Sequence, residues 1–217
     1  MILFNCIGIS SFPVEKRATA DEYATLIDTV IKEKAHGAGL THFKVWATDD
    51  LSSRLFPGYP LTRINKLLFG YMQTQVNTFS TSLDKIQFLP IDSYLLSQKY
   101  LQNLEHVVAE IEWMWPSLKR YLEKGFGIVA LVSQKIICWC TAEYVSQQTC
   151  GVGIETIPDF ENKGVGTATA AFFVQHCCSG KITPYWECDD QNYGSIRIAE
   201  KVGFTRLCQT DFRVGSF

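Results

Sequence analysis

The sequence has no run of basic residues and no apolar segment long enough to cross a bilayer. Its 20 Lys and Arg residues nearly balance 22 Asp and Glu residues and are scattered, which disfavours nucleic-acid binding. The longest apolar segment, Phe126 to Cys140, is interrupted by polar residues at 133–135. The N-terminus has neither the basic start nor the small-residue cleavage site of a signal peptide. We therefore expect a soluble, cytoplasmic protein that binds neither nucleic acid nor membrane.

Paired Cys-x-x-Cys spacing and zinc-type histidine spacing are also missing. Most of the eight cysteines stand inside apolar runs, where a thiol behaves as a small hydrophobic side chain. We therefore expect reduced thiols in the core instead of a disulfide framework. The four histidines are dispersed along the chain, so no metal site is predicted.

The first third of the chain has the pattern of a small α/β region. Thr19 and Glu22 have capping-box spacing before an amphipathic stretch, which predicts a helix that ends near Gly37. Alternating apolar and polar residues at 41–47 predict a strand. A second helix is expected to begin at Thr62 and to carry Ile64, Leu67, Leu68, Tyr71 and Met72.

A polar stretch at 77–84 is typical of a connector between domains. We therefore predict an N-terminal α/β domain of unassigned role at 1–82 and a second domain at 83–217. In the second domain the pattern gives a strand, two helices and a three-stranded antiparallel run, followed by helix 165–179, strand 182–188, helix 192–202 and strand 204–208. The predicted fold class is α/β (α+β).

The segment at 154–167, a strand leading into a helix, is the most informative about chemistry. Gly164 and Gly166 allow the backbone to approach a ligand, and Lys163 adds a positive charge. The unpaired amides of the helix's first turn can bind phosphate oxygens. Taken alone, two such glycines fit tight strand-to-helix packing equally well.

Three motifs in this half of the chain resemble the GNAT N-acetyltransferase superfamily. The loop at 161–166 resembles its pyrophosphate-binding signature, Asn192-Tyr-Gly-Ser195 its Asn-x-x-Ser helix, and Glu200-Lys-Val-Gly-Phe204 its Lys-x-Gly-Phe ending. The resemblance covers about residues 85–210, and Pro184-Tyr-Trp-Glu-Cys188 is most similar to the branch of zwittermicin-type antibiotic-resistance acetyltransferases. It implies a GNAT fold with a mixed, mostly antiparallel central sheet that is splayed at the acetyl-CoA strand.

The same resemblance implies acetyl-CoA as the cosubstrate and no metal. Main-chain groups of Ile154 and Thr156 would contact the pantetheine arm, while Asn192 and Ser195 would lie along that arm or near the leaving thiol. The pyrophosphate would be held by the loop residues Asn162, Lys163, Gly164, Val165, Gly166 and Thr167.

Three positions depart from the family's pattern. The Gln or Arg of the signature is Glu161, the usual general-acid tyrosine falls on Ala199, and the glutamate that some relatives carry early on the motif strand falls on Cys150. Catalysis would then depend on other side chains. The first candidate for the general base is Glu155, with Glu143 and Glu187 in reserve. The acid that protonates the thiolate would be Tyr193 or Cys188.

The function implied is transfer of an acetyl group from acetyl-CoA to a primary amine of a small molecule, which can be an amine, an amino acid or an antibiotic. The segment at 110–115 mixes carboxylates and indoles and suits a cationic acceptor, although a helix end that packs its indoles into the core would look the same. The alternative is a catalytically silent GNAT-like module that binds CoA or regulates a partner. A homodimer is left open.

Overall fold

The computed structural model describes residues 19–37, 42–45, 49–72, 79–83, 85–146 and 148–217. They form two compact units. The larger unit is Leu67–Cys208, and the smaller one comprises residues 209–217 with the described part of 19–66. No helix in the described ranges has the length and apolar character needed to span a bilayer.

Eight strands and eight α-helices are described. The strands are β1 His42–Val45, β2 Thr62–Tyr71, β3 Ile86–Pro90, β4 Gly127–Val132, β5 Lys135–Ser146, β6 Thr149–Thr156, β7 Thr183–Asp189 and β8 Phe204–Ser216. The helices are α1 Ala20–Leu26, α2 Lys32–Gly37, α3 Asp49–Leu55, α4 Ser93–Ser97, α5 Leu104–Met114, α6 Leu118–Lys124, α7 Val165–Ser179 and α8 Tyr193–Val202. A π-helical turn, Ile27–Ile31, joins α1 to α2, and a 3-10 turn, Pro158–Phe160, precedes α7.

The larger unit is built on a mixed sheet with the strand order β8-β2-β7-β6-β5-β4-β3. The pairs β3–β4, β4–β5 and β5–β6 are antiparallel, whereas the pair β6–β7 is parallel. The predicted mixed, mostly antiparallel α/β fold is therefore confirmed.

Helices cover both faces of this sheet. On one face α7 is an apolar helix whose residues Ala170, Phe173, Val174 and Cys177 are buried in a cluster that includes Trp186 and Phe204. On the other face α5 and α6 bury the side chains Val107, Ile111, Met114 and Tyr121 against β4 and β5. Since β6 lies between these two layers, each of its faces looks toward a different set of helices.

The smaller unit has a core of its own. β1 pairs antiparallel with the end of β8, from His42 opposite Ser216 to Val45 opposite Arg213. Phe43 stacks on Phe56, with ring centroids 4.3 Å apart. α1 begins with the predicted capping box, in which Thr19 and Glu22 exchange hydrogen bonds. The sequence-based domains 1–82 and 83–217 have other bounds than these two units and stay a prediction.

The predicted helix at 62–72 is wrong, because Thr62–Tyr71 is strand β2. Its apolar residues happen to repeat at helical spacing, but Leu67–Tyr71 are all buried. A strand covered on both faces has a nearly continuous apolar run, which periodicity alone does not separate from a helix. β2 lies between β7 and β8, both from the far end of the chain.

Candidate active site

The parallel pairing between β6 and β7 stops halfway along both strands. The register runs from Thr149 opposite Thr183 to Val152 opposite Trp186. β6 continues to Thr156, still paired with β5, and β7 continues to Asp189. The β7 side of β6 is therefore open from Gly153 to Thr156, as expected for a splayed sheet.

The backbone groups of Ile154 and Thr156 point into this opening. Along a strand, the N–H and C=O groups of alternate residues point to opposite edges. The amide of Ile157 donates to the carbonyl of Ile137. The N–H and C=O groups of odd-numbered residues at this end of β6 therefore point toward β5. The amide of Thr183 donates to the carbonyl of Gln148. The backbone N–H and C=O groups of even-numbered residues therefore point toward β7. Both hydrogen bonds therefore indicate that the N–H and C=O groups of Ile154 and Thr156 point to the β7 side, into the opening.

The side chains of the same two residues face α7. Ile154 packs against the clusters that contain Val165 and Ala170. The hydroxyl of Thr156 donates to the sulfur of Cys138 at 3.2 Å. A Cβ atom on Gly166 would lie 2.9 Å from Ile198 and 3.2 Å from the Thr156 hydroxyl oxygen. Gly166 therefore allows the first turn of α7 to approach the end of β6.

The loop before α7 turns sharply at two residues and leads directly into the helix. Asn162 and Gly164 both adopt left-handed backbone conformations, with φ of 58° and 80°. Gly164 is the N-cap of α7, and no side chain caps the helix. The first-turn amides of Val165, Gly166 and Thr167 therefore have no side-chain acceptor within the described ranges, which is the arrangement that binds phosphate oxygens.

The side chain of Lys163 is engaged by the preceding 3-10 turn. Its ammonium donates to the carbonyl of Asp159 and lies 5.2 Å from the ring centre of Phe160. The carbonyl of Lys163 accepts from the amide of Ser82 at 3.2 Å. The main chain of Lys163 thus fixes the loop, and its side chain can reach a diphosphate only by leaving Asp159.

Asn192 and Ser195 lie at the start of α8, and both have structural partners. The Asn192 side chain caps the helix by accepting from the amide of Ser195 at 3.0 Å. The Ser195 hydroxyl accepts from the indole N–H of Trp186 at 2.9 Å. Since Trp186 is the β7 residue opposite Val152, these contacts hold α8 beside the point where the strands part.

We expect Ser195→Ala to destabilise the fold. The change leaves the buried N–H of Trp186 without its acceptor, which costs about 1–3 kcal/mol in the free energy of unfolding. Ser195→Thr, which retains the hydroxyl, is the matched control. Chemical denaturation measures both variants, and equal stability of Ser195→Ala and the unaltered chain would contradict the expectation.

On the α5 face, the carboxyl of Glu110 lies beside the opening. It accepts hydrogen bonds from the indole N–H of Trp139 and, at 3.0 Å, from the hydroxyl of Thr141. A Cβ atom on Gly153 would lie 3.2 Å from the Glu110 oxygen. A side chain at Gly153 would therefore occupy the space in front of this carboxylate.

Glu155 shares this face with Glu110. Its Cα partner on β5 is Trp139, the residue whose indole binds Glu110. Burial raises the pKa of Glu110, hydrogen bonds from Trp139 and Thr141 oppose the shift, and the charge of Glu155 adds to it. Partial burial raises the pKa of Glu155, and so does the nearby charge of Glu161. Both carboxyls therefore take up a proton more readily than a carboxyl that is fully exposed to water.

The remaining catalytic candidates occupy different environments. Tyr193 is 67% exposed at the first position of α8, whereas Cys188 is buried on β7. Glu143 lies next to Gly153, since its Cγ would be 3.2 Å from a Cβ there. Glu187 is partly exposed on β7 beyond the last β6 pair. The assignment of an acid and of a reserve base among them stays a prediction.

The acidic and aromatic segment at 110–115 divides into separate roles. Trp115 is buried and donates to the carbonyl of Ala142 at 2.8 Å, so it belongs to the core. Trp113 is 76% exposed. The sequence pattern alone does not distinguish Glu110 from the other residues of this segment. The signal was its position three residues after Val107 on the buried stripe of α5.

Residues 22–211 match the GNAT acetyltransferase family. The uncharacterized N-acetyltransferase YdfB of Bacillus subtilis (strain 168) is 30% identical over 101 residues, which cover 46% of this chain and 39% of that protein. The matched region thus spans less than half of that relative. The zwittermicin-type branch stays a prediction.

Solved structures share the fold. A GCN5-related N-acetyltransferase from Kribbella flavida superposes with a TM-score of 0.59 at 13% identity, covering 91% of this chain and 76% of that one. A GCN5-related N-acetyltransferase-like protein from Streptococcus suis 89/1591 gives 0.58 at 15% identity, covering 77% and 67%. The family match over most of the chain confirms the resemblance in the sequence motifs, and the chain belongs to the GNAT acetyltransferase family.

Proposed function

We propose that the chain is an N-acetyltransferase that transfers an acetyl group from acetyl-CoA to a primary amine of a small molecule. The observation that carries this proposal is the open edge of β6, toward which the backbone of Ile154 and Thr156 points. A pantetheine arm has amides that can pair with such an edge as an added strand does. The uncapped start of α7 lies against the same end of β6 and suits the diphosphate.

Acetyl-CoA supplies an acyl group on a thiolate leaving group. The protein's part is to hold the amine and the acyl carbon in line, and positioning alone lowers the barrier substantially. In the proposed arrangement Asn162 through Thr167 bind the diphosphate. Asn192 and Ser195 lie along the pantetheine arm through their positions on α8.

A primary amine is protonated near neutral pH and must lose a proton before it can attack. We propose that Glu155 is the general base that accepts this proton. Its side chain points to the α5 face, whereas the backbone edge of β6 is where the cosubstrate would bind. Glu143 and Glu187 are the reserve bases. Tyr193 or Cys188 donates the proton that the departing thiolate takes up.

The proposal is tested by mixing the protein with acetyl-CoA and a library of amines and measuring the release of free CoA thiol. We expect at least one amine to release thiol at a rate well above hydrolysis. If acetyl-CoA binds by calorimetry but no amine reacts, the chain is the catalytically silent CoA-binding module that the absent tyrosine and glutamate leave open.

We expect Glu161→Gln to move the acidic limb of the kcat/KM profile to lower pH. The negative charge of Glu161 favours the protonated form of Glu155, so removing that charge lowers the Glu155 pKa. The base is then ionised at a lower pH, and activity persists further into the acidic range. Rates measured across the pH range check the direction. A limb that stays in place would show that Glu155 does not set it.

A further inference from the structure

Among the residues that the structure describes, no cationic side chain pairs with the carboxylate of Glu110. In the described ranges its hydrogen-bond donors are Trp139 and Thr141, and both are neutral. Trp139 and Thr141 are buried and Glu110 is half-buried, so its carboxyl group is partly removed from water.

Such a carboxylate is costly for the folded protein. Buried charges are normally paired or neutralised, because removal from water is not repaid by neutral donors alone. Burial accordingly raises the pKa of Glu110, and the negative charge of Glu155 raises it further. A cation that arrives from solvent would supply the missing partner. On β6 the residue beside this carboxylate is Gly153, which lies next to the point where β6 and β7 separate and is also close to the side chains of Thr141 and Glu143.

We propose that Glu110 binds the ammonium group of the acceptor and selects cationic acceptors that carry no carboxylate next to the amine. This inference rests on the proposed acetyl transfer, for which it names the acceptor class. The fixed hydrogen bonds from Trp139 and Thr141 hold the Glu110 carboxylate in one orientation. The acceptor nitrogen is thereby held beside Gly153, at the start of the open edge.

The second carboxylate on this face determines what is excluded. Glu155 lies across from Trp139 and raises the pKa of Glu110 through its charge, so the two carboxylates interact. An α-amino acid would place its own carboxylate beside these two negative charges, and the repulsion between like charges disfavours its binding. A simple amine of the same size meets only attraction. Amines are therefore preferred over the matching amino acids.

The proton balance assigns different roles to the two carboxylates. The acceptor ammonium loses two protons during the reaction, as the N–C bond forms and the C–S bond breaks. One proton passes to the Glu155 carboxylate and from there to solvent, and the other ends on the CoA thiol. Glu110 remains ionised throughout and holds the nitrogen, so it is a binding residue and not the base.

The test compares Glu110→Gln with the unaltered enzyme on three matched acceptor pairs: tyramine and tyrosine, histamine and histidine, tryptamine and tryptophan. Gln retains an oxygen that accepts from Trp139, and its amide NH2 can donate to the Thr141 hydroxyl, which then accepts instead of donating. We expect KM for the preferred amine to rise about tenfold or more, the loss of one charge-assisted hydrogen bond. KM for acetyl-CoA should not change. The preference for each amine over its amino acid should fall by a similar factor.

Glu105→Gln is the matched control, since Glu105 is exposed on the first turn of the same helix. It should leave both KM values unchanged. If no amine of the three pairs reacts with the unaltered enzyme, calorimetric titration of the acetyl-CoA complex with each amine replaces the kinetics. Absence of amine binding there, or equal acceptor KM in Glu110→Gln and the unaltered enzyme, overturns the inference. Failure of the unaltered protein to bind acetyl-CoA instead contradicts the proposed function.

Thermal stability separates a binding role from a structural one. Because the folded state raises the pKa of Glu110, its ionised form opposes folding at neutral pH. Glu110→Gln should therefore have a higher Tm than the unaltered enzyme at pH 7.5, and the gain should shrink as pH falls through the Glu110 pKa. A lower Tm at pH 7.5 with an unchanged amine preference would show that Glu110 serves the fold alone.

Discussion

Replacing Gly164 with glutamate is expected to weaken acetyl-CoA binding by about 100-fold or more. The new carboxylate would stand at the N-cap of α7, among the amides that we assign to the diphosphate. Like charges forced together cost several kcal/mol, and each ~1.4 kcal/mol is a factor of ten in affinity. Isothermal titration calorimetry with acetyl-CoA measures the effect directly.

Gly164→Gln is the matched control for this experiment. Both variants force a side chain onto a backbone with φ of 80° and place a Cβ 3.1 Å from the carbonyl oxygen of Ser80, so both should lose similar thermal stability. Only the glutamate adds negative charge. If the two variants bind acetyl-CoA equally well, no anion is bound at this loop, and the proposed clasp for the diphosphate is wrong.

Glu155→Gln is expected to lower kcat by about 100-fold or more, the usual contribution of a general base. Its side chain points to the α5 face, whereas the cosubstrate is assigned to the backbone edge and to α7. The affinity for acetyl-CoA should therefore stay the same. The acidic limb that Glu161→Gln shifts should disappear from the kcat/KM profile of Glu155→Gln.

Glu187→Gln provides the comparison, because Glu187 lies on β7 at the opposite side of the opening. Steady-state kinetics of the two variants assign the base. A large loss of kcat in Glu187→Gln together with a normal rate in Glu155→Gln would transfer the role to Glu187. Normal rates in both variants would leave Glu143 or a water molecule as the proton acceptor.

The elements that sequence predicted well are those with strong local signals. α7 begins at Val165 and ends at Ser179, the predicted bounds, because glycines stand on either side of an alanine-rich apolar stretch. α8 is likewise marked by the cap at Asn192 and by Gly203, whose φ is 104°. Such signals act within a few residues and need no tertiary information.

β2 and the Glu110 contacts could not be predicted in this way. The strand character of Leu67–Tyr71 comes from β7 and β8, which lie more than a hundred residues away in the sequence. The environment of Glu110 is created by Trp139 and Thr141 on another element. Hydrophobic periodicity carries no record of such long-range neighbours.

The site residues on β6 could be predicted only in part from the sequence. A glycine-containing loop before a helix is visible in the sequence, but the direction in which Ile154 and Thr156 turn their backbone groups is a matter of register. The hydrogen bonds of Ile157 and Gln148, on either side of these residues, determine that register. The family resemblance supplied the expectation, and the strand parity gives a physical reason for it.

The shortness of the open edge on β6 affects how the protein behaves in concentrated solution. An exposed strand edge can recruit a strand from another molecule and so begin aggregation, and natural sheets limit this hazard by keeping such edges very short. Here only Gly153–Thr156 extend past the last pair with β7. Ile154 and Thr156 offer enough backbone N–H and C=O groups to pair with the amides of a ligand. They offer too few to pair with a β-strand of another molecule.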